Sequence, residues 1–163
     1  MPDFGRAALE SRRKAFGVRE EVAAKDPKNA QAGFDLAVDH ADLSEALAAS
    51  GATDEALGHP RQALSILQQL SDADPTNAVY WRNIGLCYEK FANAYANLGA
   101  TDMRSRAERT KDWSEARSWF EKALGVFSDL RDGGTLMPTD SEQTTKFQQK
   151  IRECDDAIGR LKI

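Results

Sequence analysis

The sequence predicts an all-α protein, an antiparallel helix-pair array of about six helices. Three observations predict this fold class. Two short motifs recur at one offset of 48 residues, apolar residues between them recur at alternating spacings of three and four, and proline or glycine stands where these segments begin or end. Such a repeat is typical of stacked units that are each too small to bury an apolar face alone.

The recurring motifs predict where two long helices begin and end. Residues 26–30 (DPKNA) return as residues 74–78 (DPTNA), and residues 51–54 (GATD) return as residues 99–102 (GATD). Proline suits the first turn of a helix, and glycine readily takes the left-handed conformation that ends one. We therefore expect a long amphipathic helix between each pair of motifs.

An apolar stripe runs along each of these long helices. In the second helix it consists of Trp81, Ile84, Tyr88, Phe91, Tyr95 and Leu98. Subtracting 48 gives a weaker stripe in the first helix, formed by Gly33, Leu36, His40, Leu43, Leu47 and Ser50. The shared register indicates that both helices occupy equivalent positions in two repeats.

A second kind of helix precedes or follows each long one. Its apolar stripe is formed by Ala15, Val18 and Val22 in the first copy, by Ala63, Leu67 and Leu70 in the second, and by Trp113, Ala116, Phe120, Ala123, Phe127 and Leu130 in the third. We expect the first copy to span about residues 3–25 and the third to stop at Gly133. Pro60 favours an irregular link over residues 54–59. Residues 101–112 could form a mobile loop or extend the third copy at its N-terminus, and we favour the helix, with Thr101 as its N-cap.

A last helix is predicted near the C-terminus, where Thr144, Phe147, Ile151, Cys154, Ile158 and Leu161 form one more stripe. The predicted organisation is a single domain over residues 1–163. It comprises an unpartnered first helix (1–25), repeat 1 (26–73), repeat 2 (74–131) with an insertion near 101–112, and a C-terminal capping helix (139–162).

Composition argues against several classes of protein. With 41% hydrophobic residues and a net charge of -4 spread over both signs, attraction to nucleic acid or to a membrane surface is not predicted. The sequence has no run of about 18 apolar residues, and the N-terminus lacks the apolar core of a signal peptide. Cys87 and Cys154 belong to no metal-binding motif. We expect a cytoplasmic protein that needs no cofactor.

Part of the pattern resembles the tetratricopeptide repeat. Trp81, Ile84, Gly85 and Tyr88, followed by Ala116 and Phe120, match its signature, with isoleucine in place of the usual leucine. The first copy follows it more loosely, and both repeats are longer than the family's 34 residues. The elongation is similar to that of helical repeats which follow the kinase domain in some bacterial serine/threonine kinases. The resemblance covers about residues 15–131 and implies a right-handed α-solenoid.

The resemblance also implies a function, which is binding of a peptide or protein on the concave face made by the first helix of each repeat. The positions that it places there and that we consider partner-binding are Phe34, Val38, Asp42, Arg82, Leu86, Glu89 and Lys90. Arg82 and Lys90 would select the charge of the partner. The alternative is that neighbouring helices cover Phe34, Val38 and Leu86.

The sequence predicts no enzyme, since it contains no catalytic or metal-binding constellation. His40 stands on an apolar stripe and is expected in the core, while His59 has no companion at ligand spacing. The aromatic stripe has helical spacing and is expected to be core rather than a base-stacking platform. Two other functions stay open. One is a scaffold in which the first or last helix docks onto a second copy of the chain, and the other is a regulatory segment of a larger signalling protein.

Overall fold

The computed structural model describes residues 4–162, except for the side chains of residues 4–6, 8, 53 and 54. The described residues form no strand, and their helices are α1 Phe4–Lys25, α2 Ala30–Ala49, α3 Thr53–Ala56, α4 Gly58–Ala73, α5 Ala78–Ala100, α6 Arg106–Asp132 and α7 Gln143–Leu161, with a 3-10 turn at Pro138–Asp140. Since α3 is a single turn, the predicted all-α class with about six helices is confirmed. The solenoid arrangement stays a prediction.

The chain divides into two compact units, here called the N-terminal unit (residues 1–80) and the C-terminal unit (residues 81–163). The N-terminal unit contains α1 to α4 and the first turn of α5. The C-terminal unit contains the rest of α5 together with α6 and α7. The single domain predicted over residues 1–163 stays a prediction.

Helix α2 is the centre of the N-terminal unit and packs against both α1 and α4. On one side, Leu43 and Leu47 are buried together with Ala56 of α3, and Phe16 of α1 packs against them. On the other side, α4 buries Ala63 and Leu67, as their apolar stripe predicts. Helix α2 therefore packs against other helices on both of its sides.

The stripe predicted on the first helix faces outward. Val18 is 62% exposed and Val22 is 54% exposed, and Ala15 is exposed beside them. Helix α1 instead turns Leu9 and Phe16 toward α2. The apolar stripe of Ala15, Val18 and Val22 therefore lies at the surface and not in the core of the unit. Periodicity identifies an apolar face but does not say which of two apolar faces has a neighbour.

The irregular link predicted over residues 54–59 is also wrong. The chain forms the single turn α3 and enters α4 at Gly58, with Pro60 buried in the first turn of that helix. The first N–H groups of any helix lack an intrahelical acceptor, so a proline there costs no hydrogen bond. Pro60 therefore fits a helix start, although the sequence analysis treated it as an interruption.

The C-terminal unit has a core of aromatic and small side chains. Phe120 and Phe127 of α6 and Phe147 of α7 are at most 1% exposed, and Ala92, Ala116, Ala123 and Cys154 fill the spaces between the rings. All of these residues except Ala92 belong to the stripes that the spacing of apolar residues predicts. Helix α6 ends at Asp132, and Gly134 takes a φ of 70°, as the predicted stop at the glycine pair requires.

Helix α6 begins later than predicted. Its N-cap is Ser105, whose hydroxyl accepts the Glu108 backbone N–H while the Glu108 carboxylate accepts the Ser105 backbone N–H. This reciprocal pair is a capping box, which satisfies two backbone donors at the helix start. The prediction of a helix directly after Thr101 is wrong, because residues 101–105 form turns and bends. The Ser-x-x-Glu spacing was a signal that the sequence analysis missed.

Helices α5 and α6 approach closely at Gly85. A Cβ atom at this position would lie 2.7 Å from Cε2 of Phe127 and 3.1 Å from Cγ1 of Val126. The Phe127 ring is fully buried and cannot swing away. A residue without a side chain is therefore needed here, which agrees with the small residue that the repeat signature places at this position.

Replacing Gly85 by alanine is expected to destabilise the protein by about 1–3 kcal/mol, because overpacking at the Phe127 ring outweighs the better helix propensity of alanine. Urea unfolding followed by circular dichroism would measure the change. Gly125→Ala in α6 is the matched control. No atom lies within 4 Å of its added Cβ, so it should stabilise by about 0.5–1 kcal/mol. Equal effects of the two substitutions would contradict the close approach.

Candidate partner-binding face

The outward side of α2 carries the first three predicted partner-binding residues. Phe34, Val38 and Asp42 follow one another at intervals of four and therefore share a helix face. Phe34 and Val38 are half-buried and Asp42 is exposed, whereas Leu43 and Leu47 point into the core. The Phe34 ring also contacts the Tyr80 ring, with centroids 5.8 Å apart. Two apolar side chains and one carboxylate thus stand in a row, which we call the α2 face.

The edge of the α2 face is acidic. Burial raises the pKa of the Asp39 carboxyl, the neighbouring guanidinium of Arg19 opposes that rise, and the charges of Asp42 and Asp35 add to it. The Arg19 Nε lies 3.1 Å from Oδ2 of Asp39, but that oxygen is buried and accepts no hydrogen bond. Three carboxyl groups within two turns, with one cation beside them, leave this surface negative.

A cavity of about 250 Å³ adjoins the acidic edge, between the end of α1 and the start of α2. It is lined by Arg19, Val22, Asn29, Gln31, Ala32 and Asp35. Its wall therefore contains an apolar patch, amide groups and one charge of each sign. This mixture suits a polar side chain of a peptide better than a drug-like apolar ligand.

The corresponding residues of α5 have a different environment. The Arg82 Nε and Nη2 donate to the two carboxylate oxygens of Asp140, at 2.5 and 2.9 Å. The Asp140 side chain is only 3% exposed, and its hydrogen bond raises the pKa of Arg82. Three residues after Leu86, the buried Glu89 accepts a hydrogen bond from Nζ of Lys146 at 2.6 Å.

Two of the four predicted partner-binding residues on α5 are thus engaged within the C-terminal unit. Leu86 is half-buried and packs against the aromatic core, and Lys90 is half-buried as well. The 3-10 turn and α7 supply the counter-ions for Arg82 and Glu89, and neither pairing is visible in the spacing of residues along the chain. The structure leaves the α2 residues available at the surface and places Arg82, Leu86 and Glu89 against other parts of their unit.

The two histidines of the chain meet in the N-terminal unit. The Nδ1 atoms of His40 and His59 are 3.0 Å apart, and the Phe16 ring packs edge-on against His40 at 4.7 Å. Burial and the charge of His59 lower the pKa of His40 to about 4. Burial also lowers the pKa of His59, and the nearby Glu55 carboxylate opposes this. One ring must donate its Nδ1 proton to the other, so the pair is stable only while it is not doubly protonated.

The sequence spacing does not indicate this pair. The two histidines are 19 residues apart, and the single turn α3 lies between the helices that carry them. The histidine predicted to stand alone in a link is the hydrogen-bond partner of the one predicted in the core.

Both cysteines, whose thiols could otherwise be reactive, are buried. Burial raises the pKa of Cys87 to about 12 and that of Cys154 to about 11, so both thiols stay protonated at neutral pH. Phe91 of the aromatic stripe stacks on Trp119 in the interior, with ring centroids 4.5 Å apart. Over the described residues, no cluster of three or more His, Cys, Asp or Glu side chains could hold a metal ion.

No protein-family model matches the chain, and no curated protein matches it. Among the described residues, no helix is long and apolar enough to cross a membrane. The function of the α2 face must therefore be inferred from its geometry and charge.

Proposed function

We propose that the protein is a non-enzymatic protein-protein interaction module of the tetratricopeptide-like class, which acts in the cytoplasm and binds a peptide on the α2 face. The observation that carries the proposal is the row of Phe34, Val38 and Asp42, two partly exposed apolar side chains followed by a carboxylate. Such a row offers apolar contact at one end and a charge at the other, which is how helical grooves select amphipathic peptides.

The charge of the α2 face specifies the partner. With Asp35, Asp39 and Asp42 on or beside the face and the pKa of Asp39 raised in part by its two acidic neighbours, a cation of the partner would relieve repulsion between carboxylates. The occupant is therefore a peptide with an apolar residue followed, about two helical turns later, by lysine or arginine. Arg82 and Glu89 are not part of this interface, because each already forms an ion pair with a residue of the C-terminal unit.

A peptide selected from a random library on the wild-type protein is expected to contain apolar and basic residues and to lose about tenfold or more in affinity for Asp42→Arg. The substitution places a cation where the partner's cation should bind. Calorimetry would measure the affinity, and amide chemical shifts should move at residues 34, 38 and 42.

The matched control is Asp156→Arg, at an exposed aspartate of α7. It changes the net charge by the same amount and should leave the affinity within about twofold, because it leaves the carboxylates of the α2 face unchanged and net charge alone is largely screened at physiological salt. Equal loss of affinity in both variants would mean that only net charge matters. Selected peptides without basic residues would refute the proposed specificity.

A further inference from the structure

Helix α1 exposes an apolar stripe that nothing in the N-terminal unit covers. Ser11, Ala15, Val18 and Val22 lie on one side of the helix and are all exposed, whereas Phe16 on the other side packs against α2. Val18 and Val22, at 62% and 54%, are among the most exposed large apolar side chains of the described residues. We call this surface the outer stripe of α1.

The repeat shows what kind of neighbour such a stripe meets. At the offset of 48 residues, Val18 corresponds to Ile66 of α4 and Val22 to Leu70. Both α4 residues are half-buried, and Cγ2 of Ile66 lies 3.7 Å from where a Cβ of Gly33 in α2 would be. The Ile66 side chain in α4 therefore lies against another helix, and the outer stripe of α1 carries a branched apolar residue, Val18, at the equivalent position.

The charged residues beside the outer stripe would form ion pairs with the same residues on a second copy of α1. Lys14 and Glu21 flank it on one side, separated by two helical turns, and both are exposed. If a second α1 packs antiparallel across a two-fold axis, Lys14 comes opposite Glu21 of the partner subunit, and the reciprocal pair forms at the other end. In this register, Val18 falls between Ala15 and Val18 of the partner subunit.

The opposite flank carries two exposed arginines, Arg12 and Arg19. The Arg19 Nε is 3.1 Å from a carboxylate oxygen of Asp39, which compensates its charge within the unit, so Arg12 is the cation that this flank adds to the contact. Helix α7, the other helix considered for self-association, has only polar residues and one glycine at its exposed positions. It lacks the apolar surface that a helix-helix contact requires.

From these observations we infer that the protein forms a weak two-fold dimer through antiparallel packing of α1 against α1 of a second copy. A single helix pair buries less than the roughly 1,200–2,000 Å² of a stable interface. We therefore expect a dissociation constant of about 10–100 µM, within the range that is typical of weak association. The dimer does not depend on the function proposed for the α2 face.

Sedimentation equilibrium from about 1 µM to about 500 µM tests the dimer. The wild-type chain should pass from monomer to dimer over this range. Val18→Glu should remain monomeric, because each copy would bring a carboxylate into the apolar contact. Met103→Glu is the control, since Met103 is 94% exposed and lies outside α1, and this variant should associate like the wild type.

A charge swap separates self-association from binding to any other surface. Lys14→Glu and Glu21→Lys should each weaken the dimer about tenfold, because like charges then face each other in both symmetric pairs. The double variant should recover wild-type association. A wild-type monomer at about 500 µM overturns the inference. Association unchanged by Val18→Glu, or a double variant that stays as weak as the single ones, also overturns it.

Discussion

The Arg82→Ala variant is expected to lose about 3 kcal/mol of the free energy of unfolding, the largest effect of the substitutions considered. Asp140, whose side chain is 3% exposed, would lose both hydrogen bonds from the guanidinium. A carboxylate buried without a partner is strongly destabilising, and removal of one member of a buried ion pair typically costs about 3–5 kcal/mol. The lower end applies because Arg82 itself is 27% exposed. Urea unfolding followed by circular dichroism measures the loss.

Two variants test the physical reason for this loss. Arg117→Ala removes an arginine whose ion pairs with Glu121 and Asp155 are exposed, and it should cost less than about 1 kcal/mol. The double variant Arg82→Met with Asp140→Leu should recover most of the stability, because it removes both charges from the site. If Arg82→Ala and Arg117→Ala lowered the unfolding free energy equally, the burial of Asp140 would have no effect on stability. Because Arg82→Glu would place a second carboxylate beside that of Asp140, this substitution would not change the surface charge alone.

Acidification from pH 7 to pH 5 is expected to destabilise the N-terminal unit by about 2 kcal/mol through His40. The folded pKa is about 4 and the unfolded value is about 6.5, so the unfolded chain binds more protons in this window. Stability therefore falls as the pH falls, and the loss continues toward pH 4. The unfolding free energy is measured at pH 7 and at pH 5 for the wild type and for a variant without histidine. The change between the two pH values is then compared between the two proteins.

The variant His40→Gln with His59→Gln removes both histidines of the chain. Its amides can hydrogen-bond to each other and do not titrate, so its stability should change much less between pH 7 and pH 5. In the wild type, the NMR signal of the His40 ring should titrate with a midpoint near pH 4. A midpoint near 6.5, or the same acid sensitivity in the variant, would contradict the role of the pair.

The elements that sequence reasoning predicted correctly are those fixed by local chemistry. The stripe that contains Phe120 and Phe127 specifies both the helix and the side that is buried, because every residue needed is within a few turns. The end of α6 follows from Gly133 and Gly134, since few other residues take a positive φ. The capping box of Ser105 and Glu108 is also a local feature, so it could have been predicted from the sequence.

Contacts between distant parts of the chain could not be predicted. The counter-ion of Arg82, Asp140, is 58 residues away, and no helical periodicity connects the two. The outer stripe of α1 is exposed, and its spacing alone does not reveal whether a neighbour exists. Of the predicted partner-binding residues, those on α2 lie on one face as their spacing predicts, but their availability depends on which helices pack nearby.

The division of the chain also decides what its own chromophores can report. All three tryptophans, Trp81, Trp113 and Trp119, belong to the C-terminal unit. Selectively excited tryptophan fluorescence therefore follows that unit alone, while the helical signal in the far ultraviolet follows both. If the two optical transitions coincide in denaturant, the units unfold together, and if they separate, each unit is a thermodynamic domain of its own.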